Sequence, residues 1–252
     1  MIVVPKLPIP YKLISMEQIG STNEEAKRLA KLGEQKTPEG TIVWAKSQTN
    51  GRGRRGRKWV SPEGNLYLSL VLRPSEPANK AAQLGFVGAV ALCGALGEVC
   101  EPGIEVYCKW PNDILVFERK VAGILLEFDY EKNSGTSFVI LGLGVNLQHY
   151  PDNTEYPATS LAEEGQFILS TKLLEAFSRH FMDWTRRWVD TGFENIRVEW
   201  KRLAKGLGQD IEIKLENETL KGKFKDLDAN GALLLEINGK IKPINAGSVF
   251  FC

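Results

Sequence analysis

The chain changes texture at Gly206, and that change limits what it can fold into. Before this point, β-rich runs alternate with long helical ones. After it, Gly206, Gly208, Gly222, Gly231, Gly239 and Gly247 punctuate four short β-like runs at 211–215, 220–225, 233–237 and 240–244. Regular short strands separated by turn residues predict a small barrel or sandwich. The pairs Asn230-Gly231 and Asn238-Gly239 are hairpin signals, because both supply residues that tolerate a left-handed backbone. At 252 residues the chain accommodates one large unit and one small one. A boundary near Gly206 is therefore expected, dividing the chain into 1–206 and 207–252.

The larger segment reads as α+β. Residues 13–19 form a short strand leading into Ser21-Thr22-Asn23-Glu24-Glu25, where Thr22 and Glu25 have the spacing of a capping box. The helix that follows stops at Gly33. A strand is expected at 41–46, and Leu66, Leu68, Leu70 and Leu72 alternate as a strand with one face in the core. Residues 80–99 are small and apolar, as in a buried helix. Strands are expected at 104–109, 114–117, 121–128 and 138–147, with Glu118-Arg119-Lys120 as the turn of a hairpin. Two amphipathic helices follow at 171–189 and 193–205. This order predicts a mixed or antiparallel sheet flanked by helices.

The most unusual loop is Gly51-Arg52-Gly53-Arg54-Arg55-Gly56-Arg57-Lys58-Trp59. Glycines let the backbone turn and approach a ligand closely. Arginine forks suit phosphate and carboxylate, and the tryptophan offers a flat apolar face. A nucleic-acid patch is the obvious competitor. It is disfavoured because 32 Lys+Arg stand against 31 Asp+Glu, whereas nucleic-acid binders carry a basic excess. A plain solvated loop remains the other competitor.

Other classes have less support. The longest apolar stretch, at 89–96, is far shorter than a bilayer span. Residues 1–10 carry three prolines and no apolar core, unlike a signal peptide. Cys93, Cys100, Cys108 and Cys252 contain no C-x-x-C pair and read as reduced thiols of a cytoplasmic protein. His149 and His180 stand apart from any zinc-ligand pattern.

Four further features accompany the basic loop. Lys109-Trp110-Pro111-Asn112-Asp113 ends a strand and projects two polar residues into a turn, for which an ordinary Asn-Asp turn is the plain reading. Lys120-x-x-Gly123 follows across the hairpin. Gly142-Leu143-Gly144-Val145-Asn146 would place two glycines and an amide on one strand face, a bare backbone floor. Ser21-Thr22-Asn23 opens a helix, where free N–H groups and hydroxyls either cap it or bind a polar ligand.

In this order and with these spacings, the motifs resemble the biotin protein ligases along nearly the whole chain, from about Ile14 onward. The resemblance implies a central sheet flanked by helices, akin to class II aminoacyl-tRNA synthetase cores, and a C-terminal SH3-like β-barrel. It implies two steps. Biotin's carboxylate attacks the α-phosphorus of ATP to give biotinyl-5′-AMP and pyrophosphate, with Mg²⁺ on the phosphates. A lysine of a biotin carboxyl carrier protein domain, part of a biotin-dependent carboxylase, then attacks the mixed anhydride and releases AMP.

By the same resemblance, Ser21, Thr22, Asn23, Gln48, Gly51, Arg52, Arg54, Lys120 and Gly123 are the biotin-side residues. Arg54, Arg55, Trp59, Lys109, Asn112, Asp113 and Asn146 are the ATP-side residues, with Trp59 over the adenine. Arg54 and Lys120 are the catalytic pair, stabilising charge on the carboxylate and α-phosphate; protein ligands for Mg²⁺ are left open. Fewer than fifteen residues precede the first strand, so a ligase without operator binding is expected, with no specific DNA and no membrane as partners. A homodimer is left open. The competing enzyme reading is a lipoate–protein ligase, which shares the fold and the adenylate chemistry. The competing non-enzyme reading is a nucleic-acid-binding module.

Overall fold

The structure is a computed structural model that describes residues 5–130 and 137–251; expectations touching residues 1–4 and Cys252 lie outside it. Seven strands form one sheet: β1 (Lys12–Ile19), β2 (Thr41–Gln48), β3 (Leu66–Leu72), β4 (Val106–Lys109), β5 (Asp113–Val116), β6 (Arg119–Tyr130) and β7 (Ser137–Val145). Their order is β1-β2-β3-β7-β6-β5-β4. β1 pairs with β2 in parallel and every other pairing is antiparallel, so the sheet is mixed, as expected.

Helix α1 (Thr22–Ala30) covers one face. Helices α2 (Ala78–Ala81), α3 (Leu84–Val99), α4 (Ser170–Thr191) and α5 (Phe193–Arg202) gather on the other. β3 departs from its sequence reading, since all seven of its residues are buried rather than one face. The leucines Leu66, Leu68, Leu70 and Leu72 enter the main core with α3, while Val71 packs with Ala26 and Ala30 of α1. A central strand covered on both faces loses its polar face. Tyr67 and Ser69 carry the two hydroxyls on β3, and both residues are buried.

The apolar stretch read as one helix is two, α2 and α3. Ala78–Val99 is long and apolar enough to cross a membrane by length and composition, but most of it is buried inside the fold. α3 packs against α4, α5 and the sheet, which explains why apolar residues surround it on all sides. Cys93 of α3 and Cys108 of β4 meet with their sulfurs 3.5 Å apart, a contact the sequence spacing did not reveal.

The hairpin between β5 and β6 also differs from expectation. Its turn is Phe117-Glu118, with φ of 45° and 69°. Two left-handed residues give the tight turn that matches strand twist. Arg119 and Lys120 therefore already belong to β6, paired with Val116 and Leu115. β7 ends at Val145, so Asn146 lies just beyond the strand rather than on it.

The C-terminal segment is a five-stranded antiparallel sheet of β8 (Asp210–Lys214), β9 (Thr219–Leu227), β10 (Leu233–Ile237), β11 (Lys240–Ile244) and β12 (Ser248–Phe251), in the order β11-β10-β9-β8-β12. Asn238 and Gly239 both take left-handed φ at the β10–β11 hairpin, as their pairing predicted. The strand missed by the sequence reading is β12. This sheet docks onto the helical layer. Trp110 Nε1 donates to Gly231 O (3.1 Å), and Gln83 Nε2 to Ala229 O (3.2 Å).

Candidate functional site

A cavity of about 450 Å³ opens over the sheet at β6 and β7, between the basic loop, the start of α1 and strand β12. It gathers Ser21, Thr22, Asn23, Gln48, Arg52, Arg54, Arg55, Trp59, Lys109, Asn112, Asp113, Lys120, Gly123 and Asn146 on its walls. Of the residues expected at the site, Gly51 alone is absent from the lining. It is buried where a Cβ would collide with Ser61 Oγ and the Trp59 carbonyl, so it sets the base of the loop instead.

One end of the cavity is polar and largely uncharged. The capping box does not form: the Thr22 hydroxyl and backbone N–H both donate to Gln48 Oε1, at 3.1 and 2.8 Å. Glu25 turns instead to Arg28 (2.7 Å). A side chain from β2 thus caps α1. Gln48 Nε2 in turn donates to Ser61 Oγ (3.0 Å). Ser21 is 5% exposed, and its hydroxyl oxygen has no hydrogen-bond partner among the described residues. Buried polar atoms are rarely left unpaired, and such orphans cluster where ligands bind.

Asn23 is held on both sides. Its Nδ2 donates to Glu127 Oε2 (2.7 Å), and its Oδ1 accepts from Ser69 Oγ (2.5 Å). A Cβ on Gly142 would collide with the same Oδ1, which explains that glycine. Ser69 and Glu127 were not expected at the site. The polar Ser69 inside the leucine run was the available signal for one of them.

The glycine floor is real and is already covered. Gly123 of β6 and Gly144 of β7 are cross-strand partners. A Cβ on Gly144 would lie 2.5 Å from Trp59 Nε1, and one on Gly123 would lie 3.1 Å from the same indole ring. Trp59 therefore lies against this floor, with the Lys120 ammonium 5.4 Å from its ring centre. Its Nε1 is buried without a partner among the described residues.

The other end is cationic. Lys120 Nζ lies 2.6 Å from Asp113 Oδ1, and Lys109 Nζ lies 3.3 Å from Asp113 Oδ2. Burial pushes the Asp113 carboxyl up, but Lys120 and Lys109 outweigh it and hold the group below its usual range. Burial also pulls the Lys109 ammonium down, against the attraction of Asp113. Arg54 Nη1 donates to Asn112 Oδ1 (3.0 Å), and Asn112 Nδ2 donates to Ile124 O (2.6 Å). Asn146 Nδ2 donates to Thr159 O (3.0 Å), which ties the residue to the cavity wall.

The basic loop folds into a small hairpin. Arg52 bridges Lys58, Gly53 N–H donates to Arg57 O (2.7 Å), and a 3-10 turn covers Arg54–Gly56. Arg55 sits exposed at its tip with φ of 55°. Arg52 pairs with Glu24 (2.8 Å). Arg57 reaches Glu155 (3.4 Å), which also holds Lys214 of β8 (2.9 Å).

A floor of bare backbone, an orphan hydroxyl and paired ammonium groups define a site for a ligand with a neutral head and an anionic tail. Comparison with known proteins agrees with this class. Residues 56–202 match the biotin/lipoate A/B protein ligase family, and residues 206–252 match the biotin protein ligase C-terminal domain. The chain is 39% identical to the biotin–[acetyl-CoA-carboxylase] ligase of Paracoccus denitrificans, over 92% of this chain and 97% of that protein. It is 37% identical to the bifunctional ligase/repressor BirA of Bacillus subtilis, over 94% of this chain and 73% of that one. Its fold is similar to the biotin protein ligase of Aquifex aeolicus in complex with biotin and ATP, with a TM-score of 0.81, 29% identity, and 95% of this chain and 97% of that one covered. The chain belongs to the biotin protein ligase family.

Proposed function

We propose that this chain activates biotin with ATP and transfers the biotinyl group to a lysine of a carrier domain. The observation that carries the reading is the two-ended cavity, polar and glycine-floored at one end and cationic at the other. Biotin has a neutral ureido head and a carboxylate tail, and ATP meets that tail with phosphate.

In this reading Ser21, Thr22 and Gln48 face the ureido head. Asn23 braces them, since both ends of its amide are already bonded within the protein. The Trp59 indole, seated on the Gly123–Gly144 floor, flanks the apolar chain of biotin. Arg54 and Lys120 meet where the carboxylate attacks the α-phosphorus. Two anions are brought together there, and fixed cations lower the barrier by offsetting their repulsion. Asp113, charged and held below its usual range, keeps the two lysine ammonium groups in place beside it. The carboxylate oxygen forms a bond to phosphorus as pyrophosphate leaves. The acceptor amine then attacks the acyl carbon and AMP leaves. Arg52, Arg55 and the rest of the basic loop cover the mixed anhydride against water.

Mg²⁺ belongs to the nucleotide in this reading. Both oxygens of Asp113 already face ammonium groups, so a protein-held metal does not fit there. Mg²⁺ commonly binds through substrate phosphates and water.

The test is incubation with ATP, Mg²⁺, biotin and a biotin carrier domain, with lipoate in a parallel arm. A biotin-dependent mass gain on one carrier lysine is expected. Transfer of lipoate in preference to biotin, or no transfer with adenylate formation absent, would overturn the assignment.

A further inference from the structure

The cationic end of the cavity has a wall that none of the sequence motifs contains. The Lys109 side chain is only 4% exposed, with Asp113 on one side of its ammonium. The ammonium also lies 4.0 Å from the centre of the Tyr156 ring and 5.7 Å from that of Phe250. These rings come from distant parts of the chain. Tyr156 lies between β7 and α4, and Phe250 lies on β12 of the C-terminal sheet. Their centroids are 6.3 Å apart. Both line the cavity.

The wall is itself fixed. The Tyr156 hydroxyl donates to Glu118 O (3.0 Å), and Phe251 packs edge-on against its ring at 6.1 Å. The Lys214 ammonium lies 4.3 Å from the Phe250 ring centre, so a second ammonium lies against that ring.

A lysine ammonium is a compact charge on a flexible stem. One carboxylate restrains it from one side and leaves it free to swing. A second carboxylate would cancel its charge and occupy its N–H donors. An aromatic face does neither: it attracts the charge through the ring quadrupole and leaves the directional donors for a ligand.

We propose that Tyr156 and Phe250 are positioning residues for Lys109, an aromatic wall that fixes its ammonium for the nucleotide's phosphates and makes nucleotide binding depend on the last strand. This inference rests on the function proposed above. It assigns the C-terminal sheet a direct part in the nucleotide end of the cavity.

The experiment is a double-mutant cycle read by direct titration of ATP, with biotin titrated separately. Wild-type biotin-dependent pyrophosphate release is measured first, so failure of the ligase reading shows there and not in the variants. Tyr156→Leu should weaken ATP binding about 5- to 30-fold, the worth of a desolvated cation–π contact. Biotin affinity should stay within about twofold, as for an independent site. Tyr156→Phe keeps the face and should bind ATP like the wild type. Phe250→Leu should give a smaller loss, because its ring is farther away. In a Lys109→Met background, Tyr156→Leu and Phe250→Leu should have no further effect on ATP affinity. An equal loss in both backgrounds would mean that the rings act on the nucleotide or the fold directly, and would overturn the proposal. So would unchanged ATP affinity, or biotin and ATP affinities falling together. The Phe250→Leu cycle tests the coupling, at its smaller size, if Tyr156→Leu does not fold.

Discussion

Lys120→Met tests the chemistry most directly, and the structure makes its two consequences separable. The substitution removes the 2.6 Å ion pair to Asp113 Oδ1 and leaves the carboxylate with Lys109 at 3.3 Å. Asp113 is only 13% exposed, so part of the compensation for a largely buried charge is lost. Stripping a buried charge of its sole partner costs about 3–5 kcal/mol. Lys109 remains, so the cost here should be about 1–2 kcal/mol, nearer that of a hydrogen bond to a charged group. In a protein of this size that lowers Tm by about 2–8 °C. A lysine in a solvated turn would lower it hardly at all. Activity should fall further, because a group that stabilises developing charge contributes about 2.7–4 kcal/mol, a hundred- to a thousandfold in rate. Biotin-dependent pyrophosphate release and thermal unfolding measure the two effects. Adding Asp113→Asn strips the buried Lys109 ammonium of its carboxylate as well, so the double variant should regain neither Tm nor turnover. Wild-type turnover in Lys120→Met would refute the role. So would turnover restored by Asp113→Asn, which would mean that Lys120 merely neutralises its neighbour.

Gly144→Ala would place a Cβ 2.5 Å from Trp59 Nε1, so the indole must leave the floor; the KM for biotin should rise, and an unchanged value would separate Trp59 from biotin binding. Arg54→Ala should release activated biotin, read as labelling of bystander lysines; strict acceptor selectivity in the variant would contradict that role. Burial holds the Lys109 ammonium below the ordinary lysine range, so its charge is lost as pH rises through that lowered value. ATP affinity should therefore weaken on the alkaline side before an ordinary lysine titrates, and Lys109→Arg should remove this limb of the pH profile. Proteolysis after Arg52, Arg54, Arg55 and Arg57 should slow when biotin and ATP are added, since a bound anion offsets repulsion among like charges; equal rates would argue against closure of the loop.

The sequence carried the motifs because each is a local run with its own chemistry. Gly142 and Gly144 announced a bare floor two residues at a time, and Arg52 to Arg57 announced an anion-binding loop. What lies across the floor depends on pairing between strands. Gly123 meets Gly144 only because β6 and β7 are antiparallel in one register. That register, rather than any spacing, leaves room for the Trp59 indole. The same limit explains the hairpin: Phe117 and Glu118 take left-handed conformations without glycine, so the turn was expected at 118–120 and Lys120 was placed in it rather than on β6. It also explains the capping box, since nothing near Thr22 in sequence shows that Gln48 would take both its donors. Tyr156 and Phe250 mark the far end of this scale. Neither belongs to a motif, yet both reach one ammonium: Tyr156 from the segment between β7 and α4, and Phe250 because the C-terminal sheet docks through Trp110, the residue beside Lys109. The motif Lys109-Trp110-Pro111-Asn112-Asp113 therefore has two jobs in opposite directions. Its polar residues face the cavity, and its tryptophan binds the sheet that supplies the cavity's last wall. Loss of the Trp110 contact should then disturb the nucleotide end more than the glycine-floored end, which is built entirely on the seven-stranded sheet, α1 and the basic loop.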